Sequence, residues 1–301
     1  MKKNFLKNTI LSTVVAVTAL SAVGCGTSSS KDAADSSAQS NDANVEQESE
    51  SAAQNSDETT TITVGANITP HSELLYEAQK ILAKEGINLE VVEIEDSTTP
   101  NTGVFEGTLD ANFFQHVPYL ENWDEENGAD LVSIGAVHYE PFGVYSKNIT
   151  SLDELEDGAK IAVPNNPTNE ARALLLLEQE GIIKLADGVG IEATINDIEE
   201  NPKNVSFVEI DPAQLVNSLP DVAVAVINGN YALEGGLSVG KDALAVEAND
   251  GLAAETYANI IATREANKDN PALLRLVEVL QSDEIKEYIE ANYDGAVVPV
   301  K

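Results

Sequence analysis

The feature that most restricts this chain is a pattern that occurs three times: an apolar run, then a polar loop, then the start of a helix. Lys160-Ile161-Ala162-Val163-Pro164 runs into Asn165–Arg172, and Val222–Ile227 runs into Asn228-Gly229-Asn230-Tyr231. Leu109-Asp110-Ala111-Asn112-Phe113-Phe114-Gln115-His116-Val117-Pro118-Tyr119-Leu120 has the same shape, with Phe113, Phe114, His116 and Tyr119 crowded together in a chain that is 5% aromatic. Buried strands alternating with helices demand an α/β fold, and ligands of open α/β sheets sit just beyond the carboxyl ends of the strands. One aromatic exit and two amide-rich exits, one of them carrying an arginine, describe a pocket for a small zwitterion with an apolar side chain.

The order of elements extends this. Thr61–Ala66 alternates as a strand, and Asn67–His71 forms its exit. Ser72 is placed to cap a helix running to Gly86, with Leu74, Leu75, Ala78, Ile81 and Leu82 at helical spacing, before Asn88–Glu95 returns as a strand. A β-α-β unit of this kind needs a parallel pair and a right-handed crossover. Pro118 suits the first turn of a helix bearing Tyr119, Leu120 and Trp123, and Leu131–Tyr139 and Phe142–Ser146 follow as extended segments. A second α/β unit then uses Lys160–Pro164, Val205–Ile210 and Val222–Ile227 as strands, with helices over Glu170–Glu180 and Pro212–Leu219. Leu244–Ala248 and Ile260–Thr263 are strands leading back, and the chain ends in helices over Pro271–Gln281 and Ser282–Asn292. The expected division is one lobe from 61–145 plus 246–301 and a second from 146–245. Two crossings between lobes make a hinge that can close around a ligand.

The first sixty residues have another character. Lys2, Lys3 and Lys7 precede the apolar run Ile10–Val17, and Leu20-Ser21-Ala22-Val23-Gly24-Cys25 follows, which is the layout of a secretory signal over residues 1–24. Cys25 is the only cysteine, so an internal disulfide is excluded. From Gly26 to Thr60 the residues are almost wholly Ser, Ala, Asp, Glu, Asn, Gln and Thr, too polar to offset the entropy of ordering. Residues 25–60 are therefore expected to be a disordered tether. Removing the leader with its three lysines takes the formal charge from −34 to about −37. Such a chain does not bind nucleic acid by neutralising phosphate.

The chemistry-bearing residues each have an ordinary alternative. Phe113, His116 and Tyr119 recur every third residue, which suits either a shared wall or plain core. A helix starting near Thr168 or Asn169 aims free N–H groups and its positive end at the loop, and Arg172, one turn in, offers a planar fork to a carboxylate. The alternative for Arg172 is a surface ion pair with one of the many acids. Asn228 and Asn230 flank Gly229 at a strand exit, placed for an amino group and a carboxylate oxygen, or simply as a turn. Gly236-Leu237-Ser238-Val239-Gly240 fits the G-x-S-x-G pattern, but that motif needs a strand before it, and here a helix and a Gly235-Gly236 stop precede it. His71, His116 and His138 are the only histidines and form no H-x-x-x-H pair; a metal would need them to converge with a carboxylate from separate loops. No catalytic residue, metal or cofactor is expected.

Several of these stretches together resemble a known family. Asp110–Leu120, His138–Ser146, Asn165–Leu177, Asn201-Pro202-Lys203-Asn204 and Val226–Leu233 are similar to the NlpA/MetQ family of methionine-binding lipoproteins of ABC importers. The segment ending at Cys25 resembles a bacterial lipobox, whose cysteine is acylated. The resemblance implies a two-lobed periplasmic-binding-protein fold of the type II kind, with the ligand between the lobes. It implies capture of methionine or a close relative without catalysis, and delivery to a membrane permease with its ATPase from the extracytoplasmic face of the cell membrane. Phe113, Phe114, His116 and Tyr119 then surround the methionine side chain, Asn169 and Arg172 hold the carboxylate, and Asn228 and Asn230 complete the polar contacts. Ser97 stands where the family commonly has an aromatic residue, which leaves room for a methionyl dipeptide or another amino acid. A lipid-anchored hydrolase using Ser238, and a surface-interaction protein, are the alternatives from other classes.

Overall fold

The computed structural model describes residues 59–248 and 252–300. The leader, Cys25 and the expected tether up to residue 58 lie outside the described residues, while Thr60, expected to end the tether, already belongs to a strand.

The first lobe begins with β1 (Thr60–Ala66), α1 (Glu73–Leu82), β2 (Ile87–Glu93), α2 (Thr99–Glu106), β3 (Ala111–His116), α3 (Val117–Asn127) and β4 (Leu131–Tyr139). The second holds β5 (Gly143–Tyr145), β6 (Lys160–Pro164), α4 (Pro167–Gln179), β7 (Lys184–Leu185), β8 (Ile198–Glu200), β9 (Ser206–Ile210), α5 (Leu215–Ser218), β10 (Val224–Ile227), α6 (Gly229–Glu234) and β11 (Ala243–Val246). The chain returns through α7 (Leu252–Thr256) to β12 (Asn259–Arg264), α8 (Pro271–Leu280), α9 (Asp283–Asn292) and β13 (Val298–Pro299). Two sheets result. The first is ordered β13-β4-β12-β3-β1-β2 and the second β11-β5-β10-β6-β9.

In the first sheet β1 runs parallel to β2 and β3, as the β-α-β reading requires, while β12 is antiparallel to both β3 and β4. In the second, β6 is parallel to β9 and β10, and β5 is antiparallel to β10 and β11. The apolar stripe Leu74, Leu75, Ala78 and Leu82 of α1 packs with Leu273, Leu276 and Val277 of α8 over one face of the first sheet. Leu174, Leu176 and Leu177 of α4 fill the equivalent place on the second, against Ile161, Val163 and Val224.

Some local expectations shift. The Ser72 hydroxyl makes no capping bond to α1 but donates to the Ala66 carbonyl at 3.5 Å, because a helical turn over Ile68–Ser72 already precedes the helix. Helix α4 starts earlier than Glu170, at Pro167, since Asn166 supplies the cap by accepting from the Asn169 N–H at 3.2 Å. Gly143–Tyr145 belongs to the second sheet, not to a first lobe reaching 145, because its edges are taken by β10 and β11. Val246 likewise ends a strand of the second sheet. The chain therefore leaves the first sheet through residues 140–142 and the second after Val246, where Glu247 N–H donates to Phe142 O at 2.9 Å. Among the described residues no helix is long and apolar enough to cross a membrane.

Candidate functional site

The carboxyl ends of β1, β3, β4, β6 and β10 and the amino end of the antiparallel β12 meet around one cleft between the lobes. It holds about 460 Å³ of space not filled by atoms, part of it open to solvent.

The apolar wall comes from β3 and α3. Because Ala111–His116 is a strand, side chains alternate, and Phe114 and His116 face the cleft with Tyr119 of α3. Phe113 points the other way. It is fully buried in the first lobe's core, edge-on to His71 (4.8 Å) and His138 (5.3 Å), so the every-third-residue grouping of Phe113 with His116 and Tyr119 fails on the strand's period of two. The Tyr119 hydroxyl donates to the main-chain carbonyl of Ser97 at 2.9 Å, which ties that loop to α3.

His116 is wired across the cleft. Its Nδ1 accepts from the Tyr119 N–H at 3.2 Å, so the ring proton sits on Nε2, which lies 3.1 Å from Asn169 Oδ1. Burial, with the nearby charge of Arg172, lowers its pKa to about 3, and the ring is neutral. With Oδ1 taken, Asn169 turns its NH₂ group to the cleft as a donor. On the opposite side Asn230 Nδ2 donates to Asn67 Oδ1 at 3.3 Å, a second bond between lobes, leaving Oδ1 of Asn230 as an acceptor. Asn228 Oδ1 is buried with no partner among the described residues.

Arg172 does reach the cleft, but its charge is already matched. Nε and Nη2 bind Glu247 at 2.8 and 2.6 Å, and Nη2 also donates to the Glu140 carbonyl at 2.8 Å. The guanidinium carbon lies 4.0 Å from the Phe142 ring centre and 4.3 Å from that of Tyr257, sandwiched on its faces. The expected alternative of a surface pair is thus realised as a buried one. Glu247 also accepts from the Tyr139 hydroxyl at 2.5 Å and the Phe142 N–H at 3.2 Å. Burial alone raises a carboxyl, yet Arg172 and these donors hold Glu247 below its ordinary value. Nη1 remains the guanidinium nitrogen without a carboxylate or carbonyl partner among the described residues.

Several cleft residues carried no assigned role in the sequence, Asn259, Asn67 and Glu140 among them. Asn259 begins β12 opposite both His116 and His138. An antiparallel strand brings its amino end to the edge where parallel strands bring their carboxyl ends, so a search of strand exits passes over it. Asn67 does lie in an exit loop, whereas Glu140 follows β4 inside the His138–Ser146 stretch without a recognisable pattern. His71 and His138 converge, with Glu140, where no convergence was expected. Ser238 lies in the turn after α6, its main-chain N–H donating to Asp242 Oδ2 at 2.7 Å.

The same arrangement of sheets and cleft occurs in proteins already known. A sequence model of NlpA lipoprotein matches residues 62–301. The chain belongs to the NlpA lipoprotein family. The D-methionine-binding lipoprotein MetQ of Salmonella typhimurium is 45% identical over 241 residues, which is 79% of this chain and 87% of that one. Among solved structures, a nutrient binding protein from Burkholderia cenocepacia bound to methionine is 46% identical with a TM-score of 0.76, covering 80% of this chain and 100% of its own. A periplasmic substrate-binding protein of an ABC transporter from Coxiella burnetii is 42% identical with a TM-score of 0.75, covering 79% and 100%. The two-lobed fold of this NlpA lipoprotein is that of periplasmic substrate-binding proteins.

Proposed function

We propose that this protein is the substrate-binding lipoprotein of an ABC importer and captures methionine or a close relative in the cleft between its lobes. One observation carries the reading: donors and acceptors are segregated across a small cleft with an aromatic side. Of the residues lining it, Arg172 and Asn169 would hold a carboxylate, Asn228 and Asn230 an amino group, and Phe114, His116 and Tyr119 an apolar side chain. The relatives named for methionine support the choice of ligand. The groups bind and orient without supplying a nucleophile or a general base, so the protein transfers its ligand unchanged to a permease worked by an ATPase. Acylation at Cys25 holds it on the extracytoplasmic face of the membrane.

The energetics suffice. Burying a methionine-sized side chain contributes roughly 1.5–3 kcal/mol, and hydrogen bonds to charged groups contribute about 1.5–3 kcal/mol each. After the cost of association, on the order of −8 kcal/mol is left, near micromolar affinity.

Ser97 favours a second reading. With a hydroxymethyl group in place of a wall ring, the cleft beside Tyr119 suits a methionyl dipeptide as well. Thermal unfolding of residues 61–301, refolded from denaturant to remove carried-over ligand, decides between them. A ligand at 100 times its dissociation constant stabilises by about 2.7 kcal/mol, or about 5–11 °C for a body of this size. A shift with L- or D-methionine supports the first reading and a shift with dipeptides alone the second. Silence across the twenty amino acids and methionyl dipeptides refutes both.

A further inference from the structure

Glu140 presents to the cleft a carboxylate that the groups named so far do not use. Only 4% of the residue is exposed, and it follows β4 directly at the first crossing between lobes. Its Oε1 accepts from His138 Nε2 at 2.6 Å and lies 3.4 Å from His71 Nε2 and 3.5 Å from Asn259 Nδ2. The main-chain N–H of Asn230 is directed at it from α6. A Cβ on Gly229 would stand 2.7 Å from the Glu140 Cβ and 3.2 Å from Oε2, so only glycine lets the start of α6 pack against this carboxylate.

The charges around it do not balance. His138 of β4 and His71 of the turn after β1 are held neutral by burial, their pKa values lowered to about 3 and about 4. Arg172 of α4 is committed to Glu247. Glu234 of α6 adds a like charge nearby. The His138 N–H, an amide and a main-chain N–H solvate Glu140, the His71 N–H lies closer to Asn259 Oδ1 (3.0 Å) than to Glu140, and the carboxylate has no cation of its own among the described residues.

Two kinds of cation are compatible with such a carboxylate. His71, His138 and Glu140 bring ligand atoms within 4.8 Å of one another, as a metal would need. A metal on both Nε2 atoms would force the ring protons onto Nδ1, and both Nδ1 atoms are buried without a partner. Metal-bound histidines donate that second N–H to an acceptor. The cluster therefore suits imidazoles that donate from Nε2 and leave Nδ1 as a bare lone pair. The remaining candidate is an organic cation arriving through the cleft, on the side where Asn228 Oδ1 is an unpartnered buried acceptor.

We propose that Glu140 is the counter-ion for the ligand's α-ammonium group, so that the site admits amino acids or peptides with a free amine and rejects N-acylated ones. The inference rests on the reading of the cleft as a zwitterion site and names its charge partner. It gives a division of labour: Glu247 neutralises Arg172, Nη1 of Arg172 and Asn169 hold the carboxylate, and Glu140 holds the ammonium. Burial raises the Glu140 pKa against the opposing pull of His71 and Arg172. A protonated Glu140 has no charge to offer an ammonium, so affinity weakens as pH falls through that raised value and is full above it.

The test is calorimetric titration of the refolded protein and of Glu140→Gln with methionine, N-acetylmethionine and methioninamide. The parent is expected to prefer methionine to N-acetylmethionine by 100-fold or more. Glu140→Gln should lose at least tenfold for methionine while its preference over N-acetylmethionine shrinks towards unity and its preference over methioninamide persists. Glu140→Asp, which keeps the charge, should restore the discrimination against the blocked amine. Parent protein that binds N-acetylmethionine within tenfold of methionine overturns the proposal, whatever the variants do. So does a Glu140→Gln variant that keeps the full discrimination. Failure of the parent to bind methionine or any free amino acid instead overturns the zwitterion reading itself.

Discussion

Replacing Glu247 by leucine tests whether the Arg172 pair is a structural necessity. The Arg172 and Glu247 side chains are 4% and 11% exposed, so solvent screens the pair little. Without Glu247, Arg172 keeps neutral partners: the Glu140 carbonyl, the Tyr139 side chain and the faces of Phe142 and Tyr257. Leaving one member of a buried pair uncompensated costs about 3–5 kcal/mol, which for a body of this size lowers the unfolding midpoint by roughly 6–20 °C. The assay is thermal unfolding of ligand-free Glu247→Leu beside the double variant Arg172→Met/Glu247→Leu. The double variant removes both charges, so it should regain most of the loss while no longer binding ligand. The sign with pH follows from Glu247 lying below its ordinary pKa. The pair's contribution is complete above the unfolded carboxylate value of about 4.3 and disappears as pH falls through the lower folded value, so the double variant should lose less stability in acid. The reasoning is falsified if the single variant unfolds within about 1 kcal/mol of the parent.

Three other outcomes follow from the same geometry. Nitrogen NMR of the native protein should show none of the three histidines titrating between pH 8 and pH 5, with His116 as its Nε2–H tautomer, because burial takes their pKa values to about 4 or lower; an imidazolium signal for His116 at pH 5 contradicts the wiring to Asn169. Asn169→Ala removes the His116 bond and a donor to the ligand carboxylate, so affinity should fall by about 1.5–3 kcal/mol, read by calorimetry; unchanged affinity removes Asn169 from the site. Cys25→Ser should move the protein from the membrane fraction to the soluble one in cells, and continued sedimentation with membranes argues against acylation there.

Strands, helices and their order were legible because they rest on local spacing. The apolar runs at Lys160–Pro164 and Val222–Ile227 lie at β6 and β10, and Thr61–Ala66 with its helix and returning strand forms the parallel unit. The exits of β3, β6 and β10 do converge, so His116, Tyr119, Asn169, Arg172, Asn228 and Asn230 line one cleft. Phe113 was misplaced because three residues before His116 is the same face of a helix but the opposite face of a strand. Asn259 was passed over because β12 is antiparallel, a fact of sheet order that its own residues do not carry.

The sequence by itself determined the α/β class, the family and the loops from which a ligand is approached, since each depends on residues within one turn or one strand of each other. Only the tertiary structure decided the state of the charges. Arg172 and Glu247 are 75 residues apart, and His71 meets Glu140 from the turn after β1. A buried charge is defined by whatever the fold packs against it, because in a medium of low polarisability the nearest partner outweighs all the distant acids that make up the net charge. Composition records those acids. The partner is fixed by the order and register of the strands.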